Sequence, residues 1–497
     1  MSETSLGGLT TDAGHGTVLD PFTVTDPAGQ AWELVVGLEV HCELATATKI
    51  FCGCANQFGS DPNTNVCPVC LGLPGSLPVL NRQVVELAMR IGRALRCSVE
   101  PSVFHRKNYF YPDMPKDYQV SQYDQPINVD GQLELPDGSI IGIERAHLEE
   151  DTGKSTHVGG GGRIHDAVHS LVDYNRAGVP LVEIVGRPHI RTPEQARAYV
   201  QELRAVLLAT EASDAKMEEG SMRVDANVSM RRAGTDELGT RCEIKNLNST
   251  RSLVRAIEYE ARRQVDLLAS GERIVQQTRH WDEADGRTHT LRSKEEADDY
   301  RYFPEPDLVP LEPDAAWVAA VDAALPVLPA ERRRALAERT GADAAVAALV
   351  VERDLDALVL AALDAGGDAG RLVTRAANDL AGVEAGALTT EGFAAVSRME
   401  ADGALTATQA KTVLAELVAD GGDPAAIAAA KGFEAMADDA LASAVDDAIA
   451  SDPAAWQRFV DGDPKVAGLF VGKVMKATAG KADGKAVNAL LRQRAAR

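Results

Sequence analysis

Apolar and polar residues alternate most clearly in Val36-Gly37-Leu38-Glu39-Val40-His41-Cys42-Glu43-Leu44. Successive side chains of a β-strand point to opposite faces. Val36, Leu38, Val40, Cys42 and Leu44 therefore share one face, and Glu39, His41 and Glu43 share the other. The same rhythm runs through residues 221–230 and 241–245, with the turn-rich stretch 231–239 between them. This pattern predicts an antiparallel hairpin whose polar face carries Arg223, Asp225, Asn227, Arg241, Glu243 and Lys245. Such a face can be plain water-facing sheet. Two features weigh against that reading: Asn and Asp are poor strand formers, and the charges are of mixed type.

Period-two alternation and Gly/Pro turns continue to about Phe303, where a proline-rich stretch, residues 302–313, reads as a linker or domain edge. Beyond it, to about Trp456, alanine, leucine, aspartate and glutamate dominate, a composition that favours helix. Ala410, Val413, Leu414, Leu417 and Val418 recur at helical spacing, and Gly421 and Gly422 follow as stops. Asp423-Pro424 reads as the N-cap and first turn of the next helix. Two short helices close the chain, one carrying Val466, Leu469, Phe470 and Val474, the other Val487, Leu490 and Leu491. The first 30 or so residues lack periodicity and are expected to be a disordered extension. The pattern predicts a sheet-rich part followed by helices.

A chain of 497 residues is too long for one compact core. No apolar run reaches the length of a membrane span and no secretory signal is evident, so a soluble, cytoplasmic protein is expected. A net charge of −23 argues against a generic nucleic-acid binder. From Pro464 onward, however, eight basic residues face a single acid, Asp483. This tail can hold a nucleic acid or be a solvated helical end.

An imidazole between two carboxylates, as at His41, suits a divalent cation such as Mg²⁺ or Mn²⁺; a solvated strand face with incidental charges is the competing reading. Asp151-Thr152-Gly153-Lys154-Ser155 resembles a phosphate loop only superficially, because Leu148 stands where the first glycine belongs. A nucleotide site here would not be of that type. Cys52-Gly53-Cys54 and Cys67-Pro68-Val69-Cys70 offer two thiolate pairs across a closable loop. Four thiolates select Zn²⁺ in a closed structural site, and four reduced thiols are the alternative. Cys42, Cys97 and Cys242 sit among apolar positions and are expected in the core.

Several ordered motifs together resemble the B subunits of the aspartyl/glutamyl-tRNA(Asn/Gln) amidotransferases. They are residues 36–41, the cysteine cluster through Gly75, residues 106–116, 147–154, 173–184, 220–227, 243–248 and 300–307. The likeness spans about 32–310, resumes near 474, and is weakest over 315–400.

The resemblance implies a multidomain α+β protein. Its parts would be a cradle-like, mainly antiparallel catalytic β domain with helices (31–310), an all-α helical domain (311–405) and a small helical tail contacting tRNA (406–497); the disordered extension (1–30) is a departure from the family. It implies a ligase that forms a carbon–nitrogen bond, phosphorylating a misacylated glutamate or aspartate with ATP and amidating it. Partners would be an amidase subunit that frees ammonia from glutamine, a small third subunit, and the misacylated tRNA. Mg²⁺ would be held by Glu39, His41, Glu150, Glu183 and Asp225, with Glu149 as the adjacent candidate, and a structural Zn²⁺ by Cys52, Cys54, Cys67 and Cys70. Arg223 and Lys245 are candidates for ATP phosphate contact. No Ser-Lys amidase arrangement is visible, in keeping with glutaminase chemistry on another chain. A zinc-stabilised tRNA-binding module, or a scaffold for an amidase without chemistry of its own, remains the alternative.

Overall fold

A computed structural model describes residues 20–159, 167–292, 300–380, 386–433, 438–461, 463, 466–478, 482 and 484–495. The first 19 residues, Gly160–Gly162 of the glycine segment, and Lys465, Lys481 and Arg497 of the basic tail lie outside these.

The chain divides into two compact units at Ala330/Glu331. Strands of the first unit are β1 (Thr23–Thr25), β2 (Ala31–Glu43), β3 (Ser98–Val99), β4 (Val103–Asn108), β5 (Tyr118–Gln125), β6 (Asn128–Glu134), β7 (Ile140–Glu150), β8 (Lys154–Val158), β9 (His169–Asp173), β10 (Pro180–Gly186), β11 (Met222–Arg232), β12 (Cys242–Lys245), β13 (Thr278–Asp282), β14 (Arg287–Arg292) and β15 (Phe303–Pro304). Its helices are α1 (Arg82–Ala94), α2 (Pro193–Ala209), α3 (Thr250–Ala269) and α4 (Ala315–Ala323), and residues 329–330 begin α5 (Pro329–Thr340).

Thirteen strands form one sheet with the path β14-β13-β12-β11-β2-β10-β7-β5-β4-β15; β1 joins β2, and β6 bridges β3 to β7. All pairings are antiparallel except β12 with β13. β8 and β9 form a separate hairpin. The alternation in β2 has the predicted outcome: Leu34, Val36, Leu38, Val40 and Cys42 are buried together. Their face meets a core built with α1, α2 and α3, to which Val84, Leu87, Tyr199, Leu203, Leu253 and Ile257 contribute. Side-chain caps start these helices: Asn81 before α1, Thr192 before α2 with Pro193 in the first turn, and Ser249 before α3. With that face covered, the opposite face carries the polar residues.

The first unit extends past the proline-rich stretch for a physical reason. Phe303 and Pro304 pair with β4 as the edge strand β15. Beyond them α4 packs against α1, where Val321 joins the core and Arg93 bonds Asp322 at 2.7 Å.

The second unit is helical. It holds most of α5, then α6 (Ala344–Glu352), α7 (Asp356–Asp364), α8 (Ala369–Asn378), α9 (Thr390–Ala401), α10 (Ala407–Asp420), α11 (Pro424–Ala430), α12 (Asp438–Ala450), α13 (Pro453–Val460), α14 (Ala467–Ala477) and α15 (Gly484–Ala495). Thr406 and Gln409 form a capping box at α10, Gly421 ends that helix at φ 71°, and Asp423 caps α11. Two apolar clusters hold this unit. One spans Leu336 to Ala428, and the other, from Leu441 to Leu491, gathers Val445, Phe470, Val474 and Val487. Among the described residues, no helix is long and apolar enough to cross a membrane.

Candidate active site

The polar face of the sheet is organised in rows set by strand register. Glu183 of β10 lies directly between His147 of β7 and His41 of β2, and Arg223 of β11 continues the row beyond His41. In the next row Asp225 of β11 stands opposite Glu39 of β2. Glu149 lies two positions from His147 on β7, and so on the same face. Of these, His41, Glu149, Glu183, Arg223 and Asp225 line a cavity of about 530 Å³, together with Lys245 and others.

At the centre, His41 Nε2 is 3.4 Å from Glu149 Oε1 and 3.6 Å from Glu183 Oε2. Ligand atoms of these three residues all lie within 4.8 Å of one another. Burial opposes a charged imidazole at His41, but Glu183 and Glu149 outweigh it and hold the ring up to about 9. Burial, with Glu183 adding, pushes Glu149 up to about 7 despite His41. Burial would also raise Glu183, yet His41, through its hydrogen bond and charge, and Arg145 keep it well below the usual carboxylate range. His147, entirely buried, is pushed down to about 4 by desolvation and so is neutral.

The surrounding acids are compensated unequally. Glu39 accepts from Asn227 Nδ2 at 2.8 Å, but burial and the charges of Glu183, Glu243 and Asp225 raise it. Burial and Asp151 likewise raise Glu43 to about 7. Lys245 Nζ bonds both Asp225 and Glu243 at 2.8 Å, and Arg223 Nη2 bonds Asp151 at 2.7 Å. Carboxylates crowded with an imidazole in one cavity fit a divalent cation, which relieves their mutual repulsion and accepts hard oxygen ligands. The donor set of His41, Glu149 and Glu183 meets that requirement.

Glu150 does not join this cluster. It lies on the opposite face of β7, paired with Lys116 and accepting from the Val120 N–H at 2.9 Å. There it lines a small second cavity with Cys52 and Cys70. The adjacent acid, Glu149, is the one the sheet delivers to His41. Residues to which the sequence reading gave no chemistry also line or flank the cavity: His147, Lys107 and Asp151. One signal for His147 was available, because Ala146 and Leu148 mark the apolar face of β7 and so place His147 and Glu149 on the other.

The four clustered cysteines converge, with their sulfurs all within 4.8 Å. Cys67 and Cys70 Sγ are 3.9 Å apart, far beyond a disulfide and close to the edge, roughly 3.8 Å, of a tetrahedron with Zn–S bonds of about 2.3 Å. The Cys67 N–H donates to Cys70 Sγ at 3.1 Å, and a hydrogen bond with Cys52, this N–H and the Lys49 ammonium draw the Cys70 thiol down to about 5. The four sulfurs thus fit a tetrahedral thiophilic ion. Cys42, Cys97 and Cys242 are buried, as expected of core positions.

A cavity lined by buried carboxylates and an imidazole on a sheet-rich domain has the character of an enzyme's site. Residues 34–319 match the GatB/GatE catalytic domain family, and residues 370–494 match the GatB domain family. The chain is 50% identical over 480 residues to the aspartyl/glutamyl-tRNA(Asn/Gln) amidotransferase B subunit of Mycobacterium sp. (strain KMS), covering 93% of this chain and 95% of that protein. It is 49% identical to the B subunit of Nocardia farcinica (strain IFM 10152), with 93% and 95% covered, and 50% identical to that of Salinispora tropica, with 93% and 96% covered. The chain belongs to the family of aspartyl/glutamyl-tRNA(Asn/Gln) amidotransferase B subunits.

Proposed function

We propose that this chain activates the side-chain carboxyl of a glutamate or aspartate misacylated on tRNA with ATP and then amidates it. The observation that carries this reading is the convergence of His41, Glu149 and Glu183 with Arg223 and Lys245 around one cavity. A free carboxylate has no leaving group that ammonia can displace. Transfer of the γ-phosphoryl group of ATP to a carboxylate oxygen creates one. Ammonia then attacks the acyl carbon, the C–O bond to phosphate breaks, and inorganic phosphate leaves. His41, Glu149 and Glu183, with Glu39 and Asp225 beside them, would hold Mg²⁺, which would neutralise phosphate charge. Arg223 and Lys245 present cations where phosphate oxygens arrive. The sheet-rich unit, which reaches past residue 310 to Ala330, performs this chemistry, and the helical unit that follows contacts the tRNA through its basic tail. An amidase subunit supplies ammonia, and a small third subunit completes the cytoplasmic complex.

The test is conversion of Glu-tRNA(Gln) and Asp-tRNA(Asn) by the assembled complex, with glutamine or ammonium as donor. ATP-dependent formation of the amidated product is expected with at least one of them. ATP hydrolysis that converts neither would defeat the proposal.

The four thiolates would hold zinc, which would close residues 52–70 into a loop. Cys70→Ser is expected to lose stoichiometric zinc and expose that loop to limited proteolysis. A variant that keeps both its zinc and its protease resistance would count against the site.

The cation site should also respond to pH. A cation needs His41 neutral and Glu149 ionised, whereas the acids around it hold the free His41 ring up to about 9 and burial pushes the free Glu149 up to about 7. Binding below pH 9 therefore releases protons, so affinity rises with pH by up to about tenfold per unit per proton released. It levels off once His41 is neutral. Mn²⁺ titrations between pH 6.5 and 8.5 check this, and a pH-independent affinity would contradict it.

A further inference from the structure

Resting on the proposed cation site and deepening it, we propose that His147 is a positioning residue that holds Glu183 in its cation-binding orientation. His147 stands directly across from Glu183 in the sheet and is completely buried. Neither ring nitrogen has a hydrogen-bond partner among the described residues. Burying two such atoms for packing alone is costly, and an apolar side chain would fill the space without that penalty.

His147 Nε2 lies 3.4 Å from Glu183 Oε2, and His41 Nε2 lies 3.6 Å from the same oxygen. Two imidazoles thus address one carboxylate oxygen. A neutral imidazole has a single N–H donor and one lone pair. When His147 supplies the N–H to Oε2, His41 is released from that duty and its Nε2 lone pair is free for a cation. Outer partners of this kind orient ligating carboxylates in metal sites generally.

Strand β5 supports the ring and the backbone beside it. Tyr123 meets it edge-on with centroids 6.3 Å apart, and the neighbouring Leu148 N–H donates to Gln122 Oε1 at 3.0 Å.

The experiment is Mn²⁺ titration of the full chain, followed by electron paramagnetic resonance, beside thermal melts in the absence of metal. His147→Leu is expected to bind Mn²⁺ about 10–100-fold more weakly while melting no lower than wild type. His147→Gln keeps a donor of similar reach and is expected to recover most of the affinity. Should the leucine variant fail to fold, His147→Asn, too short to reach Oε2, replaces it, and glutamine binding more tightly than asparagine supports the role. Wild-type affinity in the leucine variant, or equal loss in the glutamine variant and its comparator, overturns it. His41→Ala separates failure of this role from failure of the cation site. If Mn²⁺ binding ignores that change, the cation site itself is wrong; if only the His147 variants are silent, the site stands and this role falls.

Discussion

Substituting Glu183 with glutamine is expected to slow ATP-dependent amidation by the assembled enzyme by about 10²–10³ while leaving the fold intact. Glutamine matches glutamate in size, so β10 keeps its place between β2 and β7. What disappears is the one carboxylate flanked by both His41 and His147. Glu183 is also the acid that remains ionised most firmly, since His41 and Arg145 counter its burial. Neighbouring acids do not replace it: Glu149 is itself raised to about 7, and Glu39 is raised by burial and by its acidic neighbours. Rates measured on misacylated tRNA, with a thermal melt as control, check the expectation. Undiminished amidation in a folded Glu183→Gln enzyme would remove the cluster from the chemistry.

On the covered side of the sheet, Glu260→Ala is expected to destabilise the N-terminal unit by about 3–5 kcal/mol. Glu260 is fully buried in α3 and accepts from Arg263 at 2.6 and 2.9 Å, from Gln264 at 3.0 Å and from Thr288 of β14 at 2.9 Å. Arg279 of β13, also buried, lies 3.4 Å away. Burial opposes the carboxylate, but Arg263, Gln264 and Arg279 hold it below its ordinary range. Alanine would leave two guanidinium groups without their counter-charge where α3 meets the β13–β14 hairpin. Urea unfolding followed by tryptophan fluorescence reports on this region, because Trp281 of β13 is buried there. A midpoint equal to wild type would show that the network contributes nothing.

Much of the site was legible because β2 and β11 alternate without interruption. Glu39, His41 and Asp225 could be placed on one polar face from period two alone, and register then brings Asp225 opposite Glu39. Lys245 was legible in the same way as part of the predicted hairpin, whose strands do pair. What could not be read was which distant strands stand beside β2. That β10 and β7 follow it, with Glu183 between two histidines, depends on pairings across the whole chain. For the same reason Asp151 and Glu43 had no visible partners until Arg223 and its neighbours were placed. The helical region was plain from its alanine content and its Gly and Asp-Pro stops. The reach of the first unit to Ala330 was not, because a proline-rich run looks alike whether it links domains or, as at Phe303–Pro304, edges a sheet.

The paired acids Glu149 and Glu150 have a consequence for how this protein tolerates change. Only the thickness of a pleated backbone separates them, yet one looks towards His41 and the other towards Lys116. Sliding β7 by a single residue would exchange their destinations and turn His147 into the apolar core. Neighbouring strands therefore act as a vernier, and an insertion or deletion ahead of Glu149 should be far more damaging than a substitution at the same place. The irregularity in pairing between Val185 and Gly186 lies beyond the segment where Glu149 pairs with Leu181 and His147 with Glu183, so the slack in this ladder is kept away from the residues that must stay in phase.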